Sequence, residues 1–270
     1  MKRLVIYPTF SCPFSCNFCF NKNRNTSKDI LPIHTLKEFM TKFKDSISDI
    51  VISGGEPMLL DKSYFNSMID TLKAFEKPIT ISSYPISLEN YRDDIDYNLS
   101  YDFMIRPRAL DVWENLLSFK KKFDLTVTIS PLVFKLHPNA LLQKLSLLPN
   151  LNSVEFVPYY KNECSEYDIT KNDCLIKFNQ LLLQSKLNIP FKLINKEKAI
   201  NFIFESKDES VDICLFPDGQ LYYQNFDERG ILKYIPTTEE VFTSNITKTI
   251  PSDVDLYSND IIEWFKNNVQ

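Results

Sequence analysis

An alternation restricts this chain more than any other feature. Short, nearly continuous apolar stretches occur at residues 4–7, 49–53, 78–82, 101–105, 125–129 and 153–157. Segments of helical period follow five of them, at 36–43, 64–75, 111–122, 139–148 and 173–187. In the first of these Leu36, Phe39, Met40 and Phe43 recur at i, i+3, i+4 and i+7; in the second Phe65, Met68, Ile69 and Leu72 share a face. Continuous apolar strands between helices indicate a parallel sheet with helices outside it. Six such units fall short of the eight that close a barrel. The expected class is therefore α/β, an open, partial (β/α)6 TIM-like barrel over residues 1–190.

Residues 191–270 change character. Positions 213–223 read as a β-hairpin with its turn at Pro217-Asp218-Gly219. Thr237, with Glu240 three residues later, reads as a capped helix start. Residues 260–267, with Ile261, Ile262, Trp264 and Phe265, read as a final amphipathic helix. This part is expected to be a small hairpin-plus-helix extension on the barrel.

Composition narrows the function. The chain is 44% hydrophobic and 24% charged, too apolar for disorder. No apolar run approaches the ~18 residues a membrane helix needs. Residues 1–8 lack the apolar core and small-residue cleavage site of a signal peptide. Basic and acidic residues number 31 and 35, with no long basic block, so no nucleic-acid footprint is expected. The expectation is a cytoplasmic protein that engages neither membrane nor nucleic acid. Glycine is scarce: 4 residues are present, where average usage predicts about 19. Two are adjacent, Gly54-Gly55, directly after the second strand. Glycine is favoured where φ is positive or where something must approach the backbone closely.

The cysteines divide into two sets. Cys12, Cys16 and Cys19 form a C-x3-C-x2-C run in the loop after the first strand, while Cys164, Cys174 and Cys214 are scattered. Three close thiolates are soft ligands, suited to zinc or iron–sulfur. A structural zinc site wants a fourth ligand. The two histidines, His34 and His137, are not close to the run in sequence. Three cysteines on a four-iron cube would leave one iron open to a substrate or cofactor.

C-x3-C with C-x-aromatic-C after a first strand resembles the signature of the radical S-adenosylmethionine (SAM) superfamily. Gly54-Gly55-Glu56-Pro57, after the second strand, is similar to that family's GGEP motif. Both motifs lie at C-terminal strand ends, where barrel enzymes place their sites. The resemblance implies a [4Fe-4S] cluster on Cys12, Cys16 and Cys19, with SAM chelating the open iron through its amino and carboxylate groups. Reduction would cleave SAM to a 5′-deoxyadenosyl radical that abstracts hydrogen from a substrate, with an external flavodoxin- or ferredoxin-type electron donor. Phe18 would lie near the adenine, and Gly54, Gly55, Glu56 and Pro57 would hold the methionine ammonium. Further SAM contacts are expected at later strand ends: Ser82 and Ser83, Arg106, Ser130, and the backbone of 157–159.

The hairpin at 214–223 resembles the P-D-G hairpin of SPASM and twitch appendages, found in radical SAM enzymes that modify peptides and proteins. In those, cysteines around the hairpin bind auxiliary clusters. Here Gln224 stands where a ligand is usual, so a cluster-free cap is expected over a cluster on Cys164, Cys174 and Cys214. Cys164 and Cys174 are candidate hydrogen-atom donors. The resemblance implies a maturase of a ribosomally made peptide. A glycyl-radical-enzyme activase and a non-catalytic scaffold are the alternatives.

Overall fold

Burial alternates along Ile79–Ser83, Asp96–Ser100 and residues 123–127, and there it defines the two faces of the sheet. The computed structural model describes residues 1–16, 19, 21–24, 27–101, 108–129, 145–158, 211–226 and 232–246. Six strands run parallel, each paired with its sequence neighbour: β1 (Lys2–Ile6), β2 (Ile47–Ile52), β3 (Ile79–Ser83), β4 (Asp96–Ser100), β5 (Phe123–Ile129) and β6 (Leu151–Pro158). The other side of β1 pairs in parallel with β7 (Ile213–Leu215), and β8 (Leu221–Phe226) and β9 (Leu232–Thr237) continue antiparallel. The result is one open nine-stranded sheet, ordered β6-β5-β4-β3-β2-β1-β7-β8-β9.

Among the described residues, three helices lie on one face: α1 (Ile33–Phe43), α2 (Lys62–Lys73) and α3 (Ala109–Ser118). Leu36 and Met40 of α1, Phe65, Met68, Ile69 and Leu72 of α2, and Val112 and Leu116 of α3 are buried. They form one core with Leu4, Ile6, Ile50, Ile52, Ile81, Leu99 and Leu125 from the strands. Asp61 starts α2 by accepting from the N–H groups of Ser63 and Tyr64 at 2.9 and 3.1 Å.

Along β3 to β5 the opposite face differs from the expectation of strands that are apolar throughout. Thr80, Ser82, Asn98, Ser100, Asp124 and Thr126 alternate with the core residues and stay half-buried. Thr126 Oγ1 donates to Asn98 Oδ1 at 2.8 Å. Strand period 2 sends alternate side chains to opposite faces, here core residues to one and polar residues to the other.

Three element assignments need correction. The fourth strand is Asp96–Ser100, ahead of the expected 101–105, of which 102–105 lie outside the described residues. Its Tyr97 and Leu99 enter the core while Asp96, Asn98 and Ser100 do not, so the apolar content is too thin to stand out. The third helix stops at Ser118 rather than 122, because Phe119 is extended and buried against Phe123. Thr237 is not a helix cap. It ends β9 opposite Leu221, and Glu239–Phe242 is a single 3-10 turn behind Thr238, without a side-chain cap. The helices expected at 173–187 and 260–267, most of 139–148, and the boundary at 190 lie outside the described residues.

Candidate functional site

Two loops meet at the C-terminal edge of the parallel strands. The first follows β1 and carries Cys12, Cys16 and Cys19, each half-buried. Cys19 N–H donates to the Cys16 carbonyl at 3.1 Å and Lys22 N–H to that of Cys19 at 3.2 Å, winding the loop into consecutive turns. Phe14 anchors it: buried, it meets Tyr84 edge-on at 5.5 Å, and Cys12 and Cys16 pack beside the core there. Among the described residues, no three His, Cys, Asp or Glu side chains stand together as a metal-holding group. The loop thus delivers three thiols to one end of the sheet without drawing all three together. Their chemistry fits an iron–sulfur cluster, which is held by cysteine thiolates.

The second loop follows β2 and lies against the first. Gly55 N–H donates to the Thr9 carbonyl at 2.8 Å, and Glu56 N–H to that of Ser11 at 3.1 Å. The glycines make this approach possible. A Cβ on Gly54 would stand 2.5 Å from Thr9 O, and one on Gly55 would stand 2.1 Å from Ser11 O. Gly54 also has φ +128°, a region L side chains rarely adopt. The close approach these glycines permit here is that of the cysteine loop itself.

Glu56 is 3% exposed, yet its carboxylate is fully engaged in joining loops. Oε1 accepts from Met58 N–H at 3.1 Å and from Ser83 Oγ; Oε2 accepts from Tyr84 N–H at 3.0 Å. The carboxylate therefore ties the loop after β2 to the end of β3. Ser83 makes that contact, whereas Ser82 is half-buried in register with Asn98. Pro57 is buried and opens the 3-10 turn Pro57–Leu59. A cleft of about 270 Å³ runs between the two loops, with Thr9, Ser11, Pro13 and Glu56 in its lining.

The cap closes the flank of this site with aromatic rings. Tyr7, Phe10, Cys214 and Phe216 form a second buried cluster, with Tyr222 and Tyr234 packed on it. The hydroxyls of Tyr7 and Tyr234 are 2.9 Å apart. Arg24, five residues past the last cysteine, lies over the rings of Phe216 and Tyr234 at 5.5 and 5.1 Å, a cation–π contact from cysteine loop to cap. Gln224 Nε2 donates to Tyr7 Oη at 3.4 Å. Burial, reinforced by Asp212, pushes the Cys214 thiol up. That favours the thiol over the thiolate a cluster ligand must supply.

His34 is exposed on α1. Phe18, Arg106, Ser130, His137, Tyr159, Cys164 and Cys174 lie outside the described residues. Sequence reading did not single out Thr9, Phe14, Asn21, Arg24 or Tyr84. Only the nearness of Asn21 and Arg24 to the last cysteine was a signal, since the others act through contacts distant in sequence.

The family of the 4Fe-4S single cluster domain matches residues 2–88, which hold both motifs and β1 to β3. Among solved structures, SuiB of Streptococcus suis bound to S-adenosylmethionine is similar with a TM-score of 0.58 at 16% identity, covering 81% of this chain and 59% of that one. SuiB bound to precursor peptide SuiA gives 0.59 at 16% identity, covering 98% and 65%. anSMEcpe with bound AdoMet and Cp18Cys peptide gives 0.58 at 14% identity, covering 82% and 73%. This chain thus spans less than two thirds of the SuiB chains it matches. No curated protein matches it in sequence. Among the described residues, no helix is long and apolar enough to cross a membrane.

Proposed function

We propose that this chain is a radical SAM enzyme that abstracts hydrogen from a ribosomally made peptide or a protein. Cys12, Cys16 and Cys19 hold a [4Fe-4S] cluster in this reading, and SAM binds beside Gly54-Gly55-Glu56-Pro57. A cluster held there would supply, when bound and reduced, the electron for reductive cleavage of SAM. The chain's own residues position and enclose that chemistry. Gly54 and Gly55 let the two motif loops touch. Glu56 fixes the second loop on β3 through Ser83 and Tyr84. The aromatic cap and Arg24 exclude water from the flank.

The observation that carries this reading is the paired backbone contact of the two motifs, Gly55 N–H to Thr9 O and Glu56 N–H to Ser11 O, at the C-terminal edge of the sheet. Phe18, Ser82, Arg106 and Ser130 remain the proposed further SAM contacts, with Cys164 and Cys174 as hydrogen-atom donors. The peptide assignment draws on the P-D-G hairpin and on the peptides bound in the SuiB and anSMEcpe structures. A partial barrel at 1–190, a cap at 191–270, a reducing cytoplasmic location and an external flavodoxin- or ferredoxin-type donor complete the proposal.

Anaerobic reconstitution tests it. The protein should bind about four irons, the content of one cubane cluster, and produce 5′-deoxyadenosine from SAM with dithionite. Cys16→Ala should lose both. Wild type that cleaves no SAM, or Cys16→Ala that matches it, sinks the proposal. A short precursor peptide encoded beside the gene, modified in the same assay, supports the peptide assignment.

A further inference from the structure

The sheet ends on β9, and the outer side of that strand pairs with no other strand among the described residues. The register shows which backbone groups face outward. Gln224 N–H donates to the Asp212 carbonyl at 3.4 Å, so Gln224 turns its backbone toward β7. Its neighbours Tyr223 and Asn225 then turn toward β9, where they stand opposite Ile235 and Lys233. Successive residues of an antiparallel ladder alternate in this way. Leu232, Tyr234 and Pro236 therefore direct their backbone groups away from β8. Leu232 and Tyr234 each present an N–H and a carbonyl, and Pro236 a carbonyl alone. Neither N–H has a hydrogen-bond partner among the described residues.

An open ladder of this kind is a template for another extended chain. Its length selects the occupant. Pro236 removes the donor that would continue the ladder, a device by which edge strands resist pairing with the long strand of a second copy. What remains fits a short extended segment held through its own main chain. The location connects that segment to the site. The Tyr234 ring meets those of Tyr7 and Phe216 edge-on at 5.9 and 5.1 Å, and Arg24 of the cysteine loop lies over it. A segment bonded to the Tyr234 backbone thus runs beside the aromatic cluster that flanks the two motif loops.

We infer that the peptide substrate docks as a short added strand on the outer edge of β9. It bonds to the backbone of Leu232 and Tyr234, with an aromatic or β-branched side chain opposite Tyr234. The inference rests on the peptide reading above.

The test uses the full-length protein and measures binding, not turnover. In the free protein, residue-resolved hydrogen exchange should find the amides of Leu232 and Tyr234 at least about tenfold faster than those of Lys233 and Ile235. The probe is acetyl-Lys-Thr-Val-Tyr-Val-Thr-Lys-amide, an extended peptide whose end lysines oppose its self-association. At about 1 mM it should slow exchange at Leu232 and Tyr234 by at least about threefold. Two further forms carry backbone N-methyl groups, one on the valines, the other on the tyrosine and threonines. Only one side of an added strand bonds the edge. One form should therefore bind at least about tenfold more weakly than the unmodified probe, and the other within about twofold of it.

Slow exchange at Tyr234 in the free protein would mean that the edge is already paired, and would overturn the inference. An absence of protection by the probe would overturn it too. Equal affinities for the two methylated forms would show binding through side chains alone, with the same consequence. A protein that cleaves SAM yet gives any of these results defeats this inference and not the proposed function. One that binds the probe at β9 yet cleaves no SAM defeats the proposed function and leaves the docking edge, so the two failures are distinguishable.

Discussion

Gly55→Ala tests the loop contact on which the whole site depends. The added Cβ would sit 2.1 Å from Ser11 O and 2.6 Å from both Phe10 C and Ser11 C. All three are backbone atoms, so no side chain can swing aside. Restoring ordinary contact at 3.4 Å requires a shift of about 1.3 Å. Such a shift breaks the Gly55–Thr9 and Glu56–Ser11 hydrogen bonds, now 2.8 and 3.1 Å. Each is worth about 1 kcal/mol net, and overpacking adds about 1–3 kcal/mol. The expected loss of about 3–5 kcal/mol is a large share of a typical stability of about 5–15 kcal/mol. Because Cys12 directly follows Ser11, iron loading should fall with stability. Urea unfolding of the apo-protein, followed by circular dichroism, reads the first effect; iron per chain after reconstitution reads the second. Gly219→Ala is the control: its φ is +80°, but its Cβ would meet only Thr35 Cγ2, at 3.4 Å. That variant should lose some stability from backbone strain and still load iron. A Gly55→Ala protein with wild-type midpoint and full iron would refute the reasoning, because the loops could not then touch as described.

The remaining expectations concern the buried polar groups around the site. Ser83→Ala removes a hydroxyl donor from the Glu56 carboxylate and should destabilise by about 1.5–3 kcal/mol, the range for a hydrogen bond to a charged group. Glu56→Gln should cost more, since its amide NH2 must face Met58 N–H and Ser83 or else Tyr84 N–H; a midpoint equal to wild type would show that the carboxylate is not the tie. Burial pushes Cys214 and Tyr7 up from ordinary values of 9.0 and 10.0. The folded chain then keeps protons that the unfolded chain releases, so this stabilisation is complete below pH 9 and declines as pH rises further. Cys214→Ala should delay the onset toward pH 10, where Tyr7 begins to contribute. A wild-type midpoint that stays flat from about pH 8 to about pH 11 would contradict this.

What the sequence determined alone is what lies within a few residues. Periodicity separated β2 from α2 and β1 from α1, because a buried helical stripe and a buried strand leave different repeats. The cysteine run, the glycine pair and the Pro217-Asp218-Gly219 turn were legible for the same reason: each is a short-range constraint on backbone or ligand. β4 escaped because one polar face dilutes its apolar signal. β9 escaped because its pairing with β8, Tyr222 opposite Pro236, is a property of two strands and not of one.

Tertiary structure alone decided the neighbours. It put β7 beside β1, so that a cap more than two hundred residues away in sequence shares aromatic contacts with the cysteine loop. It gave the Glu56 carboxylate to Ser83 and Tyr84, and the space above Gly54 and Gly55 to Thr9 and Ser11. It also left Asn21 Oδ1 buried beside Gly54 without a donor among the described residues. A local pattern reports what a residue can do. Which group it meets depends on how distant loops pack, and here that packing is set where parallel strands end together at one edge of the sheet.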